Sequence, residues 1–126
     1  MPAIAVIGAS ADRSKFGNKC VRAYALRGYD VFPIHPREQR IEGWPVFRSV
    51  RDIPVPRLDL VSIYLPPAVG LTILDDLTHK PIGEVWFNPG ADAPEVLARA
   101  RELGLPVIAG CSILAAGISP GELSDD

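Results

Sequence analysis

Five short apolar runs, each closed by glycine or proline, divide the chain. Residues 3–7 (AIAVI) stop at Gly8, and residues 29–34 (YDVFPI) stop before His35-Pro36. Residues 58–65 (LDLVSIYL) stop at Pro66-Pro67, residues 84–87 (EVWF) at Asn88-Pro89-Gly90, and residues 106–109 (PVIA) at Gly110. Runs of this length, rich in β-branched and aromatic side chains, predict strands buried on both faces, the pattern of a parallel sheet. The segments between them carry a helical period. Asn18 is placed to cap a helix that runs to Arg27, with Gly28 at C′. Pro67 opens a second helix, with Val69, Ile73, Leu74 and Leu77 on its inward side. Asp92 is placed to cap a third, in which Val96, Leu97, Ala100 and Leu103 form one apolar stripe ended by Gly104. Residues 37–57 are irregular apart from one predicted helical turn at 49–53.

Right-handed crossovers place the helices of such an alternation on both faces of an open sheet. The prediction is an α/β fold: a Rossmann-like, doubly wound, five-stranded parallel sheet of order 3-2-1-4-5, forming one domain over residues 1–116. Residues 117–126, dominated by Gly, Ser and acidic side chains, are predicted to form a flexible tail. In these sheets the ligand crevice lies at the carboxyl ends of the strands, near the switch point between the first and fourth. The loops after Ile7, Ile34, Leu65, Phe87 and Ala109 therefore carry the candidate chemistry.

Composition narrows the partners. The 126 residues can close one hydrophobic core, and 48% hydrophobic with 22% charged side chains is ordinary globular usage. A net charge of −2 argues against a nucleic-acid-binding surface, so any basic cluster must be local and aimed at a small anion. Two cysteines, Cys20 and Cys111, are too few for a disulfide framework and read as reduced thiols of a cytoplasmic protein. The amino terminus lacks the features of a signal peptide, and no stretch approaches the roughly 18 apolar residues of a membrane helix.

The first loop has the clearest chemistry. Gly8, Ala9 and Ser10 leave the first strand, and Arg13, Ser14 and Lys15 lead to Gly17 and Asn18 at the helix start. Backbone N–H groups around Gly17, Asn18 and Lys19 lack helical partners, and the helix dipole there favours an anion. Ser10, Ser14 and Asn18 add donors, and Arg13 and Lys15 add charge. These residues predict a cradle for a pyrophosphate. The spacing matches neither a P-loop nor the GxGxxG dinucleotide fingerprint. The second strand ends in Ile34-His35-Pro36-Arg37 without the acid that NAD-binding folds place there. Arg37, Arg40 and His35 instead suit a nucleotide with an extra ribose phosphate, NADP or coenzyme A. Leu65, Pro66, Pro67 and Val69 form a stiff apolar loop fit to pack an adenine or an aliphatic arm. Asn88 and Gly90 belong to the same rim.

In sum of order and spacing, GAS with its basic loop, GYDVFPIHP, LDLVSIYLPP, W-x-NPG and a late cysteine resemble the small stand-alone CoA-binding proteins. That family's domain is shared with the CoA-binding part of the succinyl-CoA synthetase alpha subunit and with NDP-forming acyl-CoA synthetases. The resemblance covers nearly the whole chain. It implies coenzyme A or an acyl-CoA as ligand, with the phosphates at Gly8, Ala9, Ser10, Arg13, Ser14 and Asn18. It implies that Pro33, His35, Pro36 and Arg37 border the adenosine, and that Leu65, Pro66, Pro67 and Val69 cover the nucleotide. Two departures stand out. His35-Pro36 occupies a place where many members have Asn-Pro, and Ala109-Gly110-Cys111 a place where many have Asp-Arg-Cys.

Catalytic groups are sparse. His35 and His79 are the histidines, and neither spacing nor motif places them beside a nucleophile. The synthetases carry a phosphorylated histidine and a nucleotide-binding part that this segment lacks. Cys111 reads as a small hydrophobe or as a thiol able to form a mixed disulfide with CoA. The expectation is therefore a non-catalytic CoA-binding module acting as sensor, carrier or subunit, as a homodimer or with a protein partner. The alternative is an NADP-dependent or other nucleotide-using small enzyme.

Overall fold

β1 (Ala3–Ile7) is buried along its whole length and runs through the interior of a parallel sheet. The computed structural model describes residues 1–126. β2 (Asp30–Ile34) flanks β1 on one side, and β5 (Leu58–Ile63), β6 (Ile82–Phe87) and β7 (Val107–Ala109) follow on the other, giving β2-β1-β5-β6-β7. Between β2 and β5, β3 (Arg40–Ile41) and β4 (Trp44–Pro45) form a small antiparallel hairpin. The register sets Ile4 beside Val31 on one side and Leu60 on the other.

Strand periodicity divides the core in two. Ala3, Ala5 and Ile7 of β1 face one layer with Val61, Ile63, Val85 and Phe87. That layer is covered by α2 (Pro67–Ile73), the tight turn that follows it, and α3 (Pro94–Glu102). Ile4 and Val6 face the other layer, where α1 (Phe16–Leu26) contributes Cys20, Val21 and Tyr24, and α4 (Ser112–Ala115) contributes Ile113.

The expected doubly wound parallel sheet is therefore present, with one shift of numbering. Leu58–Ile63 lies directly beside β1, not outside β2. The place outside β2 is taken by Phe47, which bridges Ile34 in parallel and exchanges bonds with Pro33 and His35. Counted with Phe47 as a one-residue third strand, the order reads 3-2-1-4-5 with a sixth strand at the far edge. The switch point falls between β1 and β5.

Three helix details differ from expectation. α1 begins at Phe16 with Lys15 at its cap, so Asn18 lies inside the helix, fully buried, and does not cap it. The earlier start brings Gly17 against the end of β1. Val69 at the head of α2 is exposed, because the helix tightens after Ile73 and turns Leu74 and Leu77 inward. α3 is capped by Ala93, while the Asp92 carboxylate accepts the Gly90 N–H at 3.2 Å. Residues 117–126, for which composition predicts fraying, lie along α1. Lys19 pairs with Asp125 at 2.6 Å, Arg22 donates to the Ser124 carbonyl at 2.7 Å, and Ile118 and Leu123 are buried. No helix is long and apolar enough to cross a membrane.

Candidate functional site

The loops leaving β1, β2, β5, β6 and β7 share one rim of the sheet, as parallel order requires. Gly8 closes β1 with φ of 87°, and a side chain there would come 2.5 Å from the Tyr64 carbonyl oxygen at the end of β5. Only glycine allows this approach, which sets the floor of the crevice at the switch point.

The loop from Ala9 to Lys15 is held by its own side chains. Ser10 Oγ accepts the Asp12 N–H at 3.0 Å, and the Asp12 carboxylate accepts both the Ser14 N–H and the Ser14 hydroxyl, at 3.0 and 2.7 Å. These bonds hold the Asp12 carboxyl below its usual titration range, with the Ser14 hydroxyl the largest cause. Along this stretch the N–H groups of Gly8, Ala9, Ser10, Ala11, Arg13, Phe16 and Gly17 have no protein acceptor. Lys15 is exposed beside them. Unpaired backbone donors, a helix start and an exposed lysine are the features that backbone anion sites use.

Several expected ligands are otherwise engaged. The Ser14 hydroxyl donates to Asp12. The Arg13 Nε lies 3.3 Å from the Glu42 carboxylate, and its terminal nitrogen donates to the Asp126 carbonyl at 2.6 Å. Asn18 donates to the Ser10 carbonyl at 2.9 Å and to Glu42 at 3.1 Å, and accepts from Arg22 Nε at 2.8 Å. Asn18 therefore shapes this loop from behind, and Arg13 is turned towards the β3–β4 hairpin. Glu42, which organises both, was not singled out in the sequence; its φ of 51° in the two-residue Glu42–Gly43 turn marks a hairpin the sequence disguises.

At the end of β2, Pro33 is buried and its carbonyl accepts the Phe47 N–H. Its burial makes it a packing residue of the strand, one position before the end of β2. Pro36 and Arg37 are exposed and the Arg37 guanidinium is unpaired, whereas Arg40 donates to the Gly43 carbonyl at 2.9 Å and secures the hairpin. Arg48, also unforeseen, donates to the carbonyls of His35, Arg37 and Glu38. Leu65 and Pro67 are half-buried and Pro66 and Val69 exposed, forming the apolar lip beside Gly8.

Asn88 lines the apolar cleft of this rim, and its side chain is engaged within the fold. It is buried, donates to Ser62 Oγ and the Ile63 carbonyl, each at 2.9 Å, and accepts the N–H and hydroxyl of Ser112 at 2.8 and 3.1 Å. All its polar capacity is used, which joins β5, β6 and the start of α4. Gly90 is exposed with φ of 98° and serves the turn before α3. Between these loops a cleft of about 250 Å³ is lined mainly by Phe16, Tyr64, Pro89, Cys111 and Leu114. It adjoins the first loop through Phe16. Wider hollows of about 460 and 470 Å³ lie over Trp86 and at the amino ends of β1 and β5, away from these loops.

Unpaired N–H groups at the switch point, a free arginine past β2 and an apolar cleft alongside are set where open α/β sheets form their ligand crevice. The chain belongs to the CoA binding domain family, whose profile matches residues 2–117. It is 39% identical over 116 residues to the alpha subunit of ADP-forming acetate–CoA ligase II from Pyrococcus furiosus, covering 83% of this chain and 25% of that one. The chain thus spans about a quarter of the length of that curated relative. Among solved structures, a conserved hypothetical protein from Pyrococcus furiosus superposes with a TM-score of 0.81 at 29% identity, covering 91% of this chain and 99% of that one. A protein from Thermus thermophilus gives 0.81 at 30% identity, covering 90% and 86%. The dinucleotide-forming acetyl-coenzyme A synthetase 1 of Ca. Korarchaeum cryptofilum gives 0.71 at 27%, covering 84% of this chain and 25% of that one.

Proposed function

We propose that this domain binds coenzyme A or an acyl-CoA as a non-catalytic module, a sensor, carrier or subunit. The observation that carries the reading is the group of unpaired N–H donors at Ala9, Ser10, Phe16 and Gly17, set beside Lys15 at the switch point of a CoA-binding-family fold. In this reading the pyrophosphate lies on those donors, and the Arg37 guanidinium meets the ribose phosphate. Leu65, Pro66, Pro67 and Val69 cover the nucleotide, and the pantetheine arm runs towards the cleft of Phe16 and Cys111. Tyr64 is an unsuitable proton donor or acceptor there, because burial raises its titration far above neutrality and its hydroxyl is engaged with Ser112.

The test is thermal stability of the purified protein against CoA, dephospho-CoA, acetyl-CoA, NADP and NAD. A ligand bound by the folded state raises stability by mass action. CoA and its thioester are expected to stabilise the protein and the nicotinamide nucleotides are not. Stabilisation by NADP alone would overturn the reading.

A further inference from the structure

We propose that His35 is a positioning residue: its unprotonated Nδ1 folds the turn of residues 35–38 that presents Arg37, and ligand affinity falls when that nitrogen takes up a proton. The second clause rests on the CoA reading of the site; the first does not.

His35 is the first residue past β2. Its Nδ1 lies 3.0 Å from both the Arg37 and the Glu38 backbone nitrogens and accepts both N–H groups. A ring nitrogen that accepts carries no proton, so the neutral ring holds its hydrogen on Nε2. The carbonyls of the same turn are held by Arg48, which donates to His35 and Glu38 at 2.9 and 2.7 Å and to Arg37 at 3.2 Å. The His35 N–H donates to Phe47 at 3.1 Å. The turn is thus clamped from two sides, its N–H groups by an imidazole and its carbonyls by a guanidinium. The Arg37 side chain, with no partner of its own, projects from the part so fixed.

A proton on Nδ1 converts the acceptor into a donor that faces two donors. Both bonds are lost, while an imidazolium appears on a turn that already carries Arg37 and holds Arg48. The acids near the clamp are Glu38 on the turn itself and Asp76, which accepts from Ser49 at 3.2 Å and lines a small cavity with Arg48. Neither accepts a hydrogen bond from the imidazole ring. The Arg48 clamp alone then holds the turn, and Arg37 loses its fixed place. A carboxamide at position 35 would accept the same two N–H groups through Oδ1 and would not titrate.

The experiment compares native protein, His35→Asn and His35→Ala at about pH 8 and about pH 5.5, spanning the range in which imidazole changes charge. Amide exchange of Arg37 and Glu38, corrected for its intrinsic pH dependence, is read in the ligand-free chain, and CoA affinity by calorimetry. In the native protein both amides are expected to be protected at the higher pH and released at the lower. Its CoA affinity is expected to fall about tenfold more than that of His35→Asn over the same interval; the Asn variant absorbs the ligand's own phosphate titration. His35→Ala is expected to leave both amides unprotected at either pH. Equal pH dependence of affinity in native and Asn proteins, or unprotected amides in the native protein at the higher pH, overturns the proposal. Absence of CoA binding by every variant would overturn the CoA reading and the affinity clause with it, while the exchange data decide the role of the imidazole independently.

Discussion

Gly17 lies so close to the carbonyl of Gly8 that a Cβ on Gly17 would overlap the oxygen. The end of β1 and the start of α1 are thereby locked together, where the N–H groups of Phe16 and Gly17 have no protein acceptor. Gly17→Ala is expected to cost about 1–3 kcal/mol, the usual penalty of overpacking, and to weaken CoA binding as the helix start moves. Gly121→Ala meets open space and ordinary backbone, so it should stay within about 0.5 kcal/mol. Urea midpoints of the two variants decide; equal midpoints would refute the lock.

Asn88 is expected to matter to the fold and not to the ligand. Asn88→Ala removes four hydrogen bonds in a buried setting and strands the Ser112 N–H. Each buried group left unpaired costs about 1–3 kcal/mol, so a loss of about 3 kcal/mol or more is expected. Chemical denaturation measures it. A fully stable Asn88→Ala protein with weakened CoA binding would return this residue to the ligand site.

Much of this architecture was legible in the residues. The five apolar runs mark the five main strands; burial on both faces holds for the interior strand β1, whereas Gly83 and Glu84 of β6 and Ala109 of the edge strand β7 are exposed. Gly8 and the loop after it mark the end of β1 and the approach to α1. What stayed hidden depends on contacts remote in sequence. Glu42 lies 24 residues from Asn18, and nothing local shows that Arg13 and Asn18 turn towards it. The β3–β4 hairpin is two residues per strand, too short for a period. Asn88 reads from the sequence as a residue of the ligand rim, and its hydrogen bonds depend on Ser62 and Ser112, which only the closed sheet brings near.

Lys15 and Arg13 are expected to separate. The Arg13 guanidinium is held by Glu42 and by the Asp126 carbonyl, whereas Lys15 is exposed with no partner in the loop. Lys15→Ala should weaken CoA binding and reduce its salt dependence, since an exposed cation acts through a screened field. Arg13→Ala should change affinity less. Calorimetry at two salt concentrations reads both, and the reverse ranking would place Arg13 on the phosphate.

Arg37 is expected to confer preference for CoA over dephospho-CoA. Its guanidinium is free, and a charge-assisted, bidentate pair with a phosphate contributes about 1.5–3 kcal/mol. Arg37→Ala should shrink the preference about tenfold, since 1.4 kcal/mol is a factor of ten. Equal affinity of the native protein for the two ligands would remove the ribose phosphate from this turn.

The two cysteines are expected to behave differently, and alkali to weaken the fold. Cys20 is fully buried, and desolvation, the largest cause, raises its thiol above the ordinary value, only partly offset by Ser62 at 3.6 Å and Ser112 at 3.7 Å. Desolvation also raises Tyr24 and Tyr64. A group whose folded value lies above its unfolded value contributes stability that is complete below the unfolded value. The contribution declines as pH rises towards the folded value. Thiols of an unfolded chain titrate near 8.5 and phenols near 10, so stability should hold at neutral pH and decline above about pH 9. Cys111 is half-buried at the mouth of the cleft, so one thiol should react with an aromatic disulfide reagent in the folded protein and the second only after unfolding. Bound CoA should slow the first reaction by filling the cleft. Urea midpoints from about pH 7 to 10, with reaction counts before and after unfolding, test both parts; a midpoint flat to pH 10 with both thiols reacting at once would contradict the burial of Cys20.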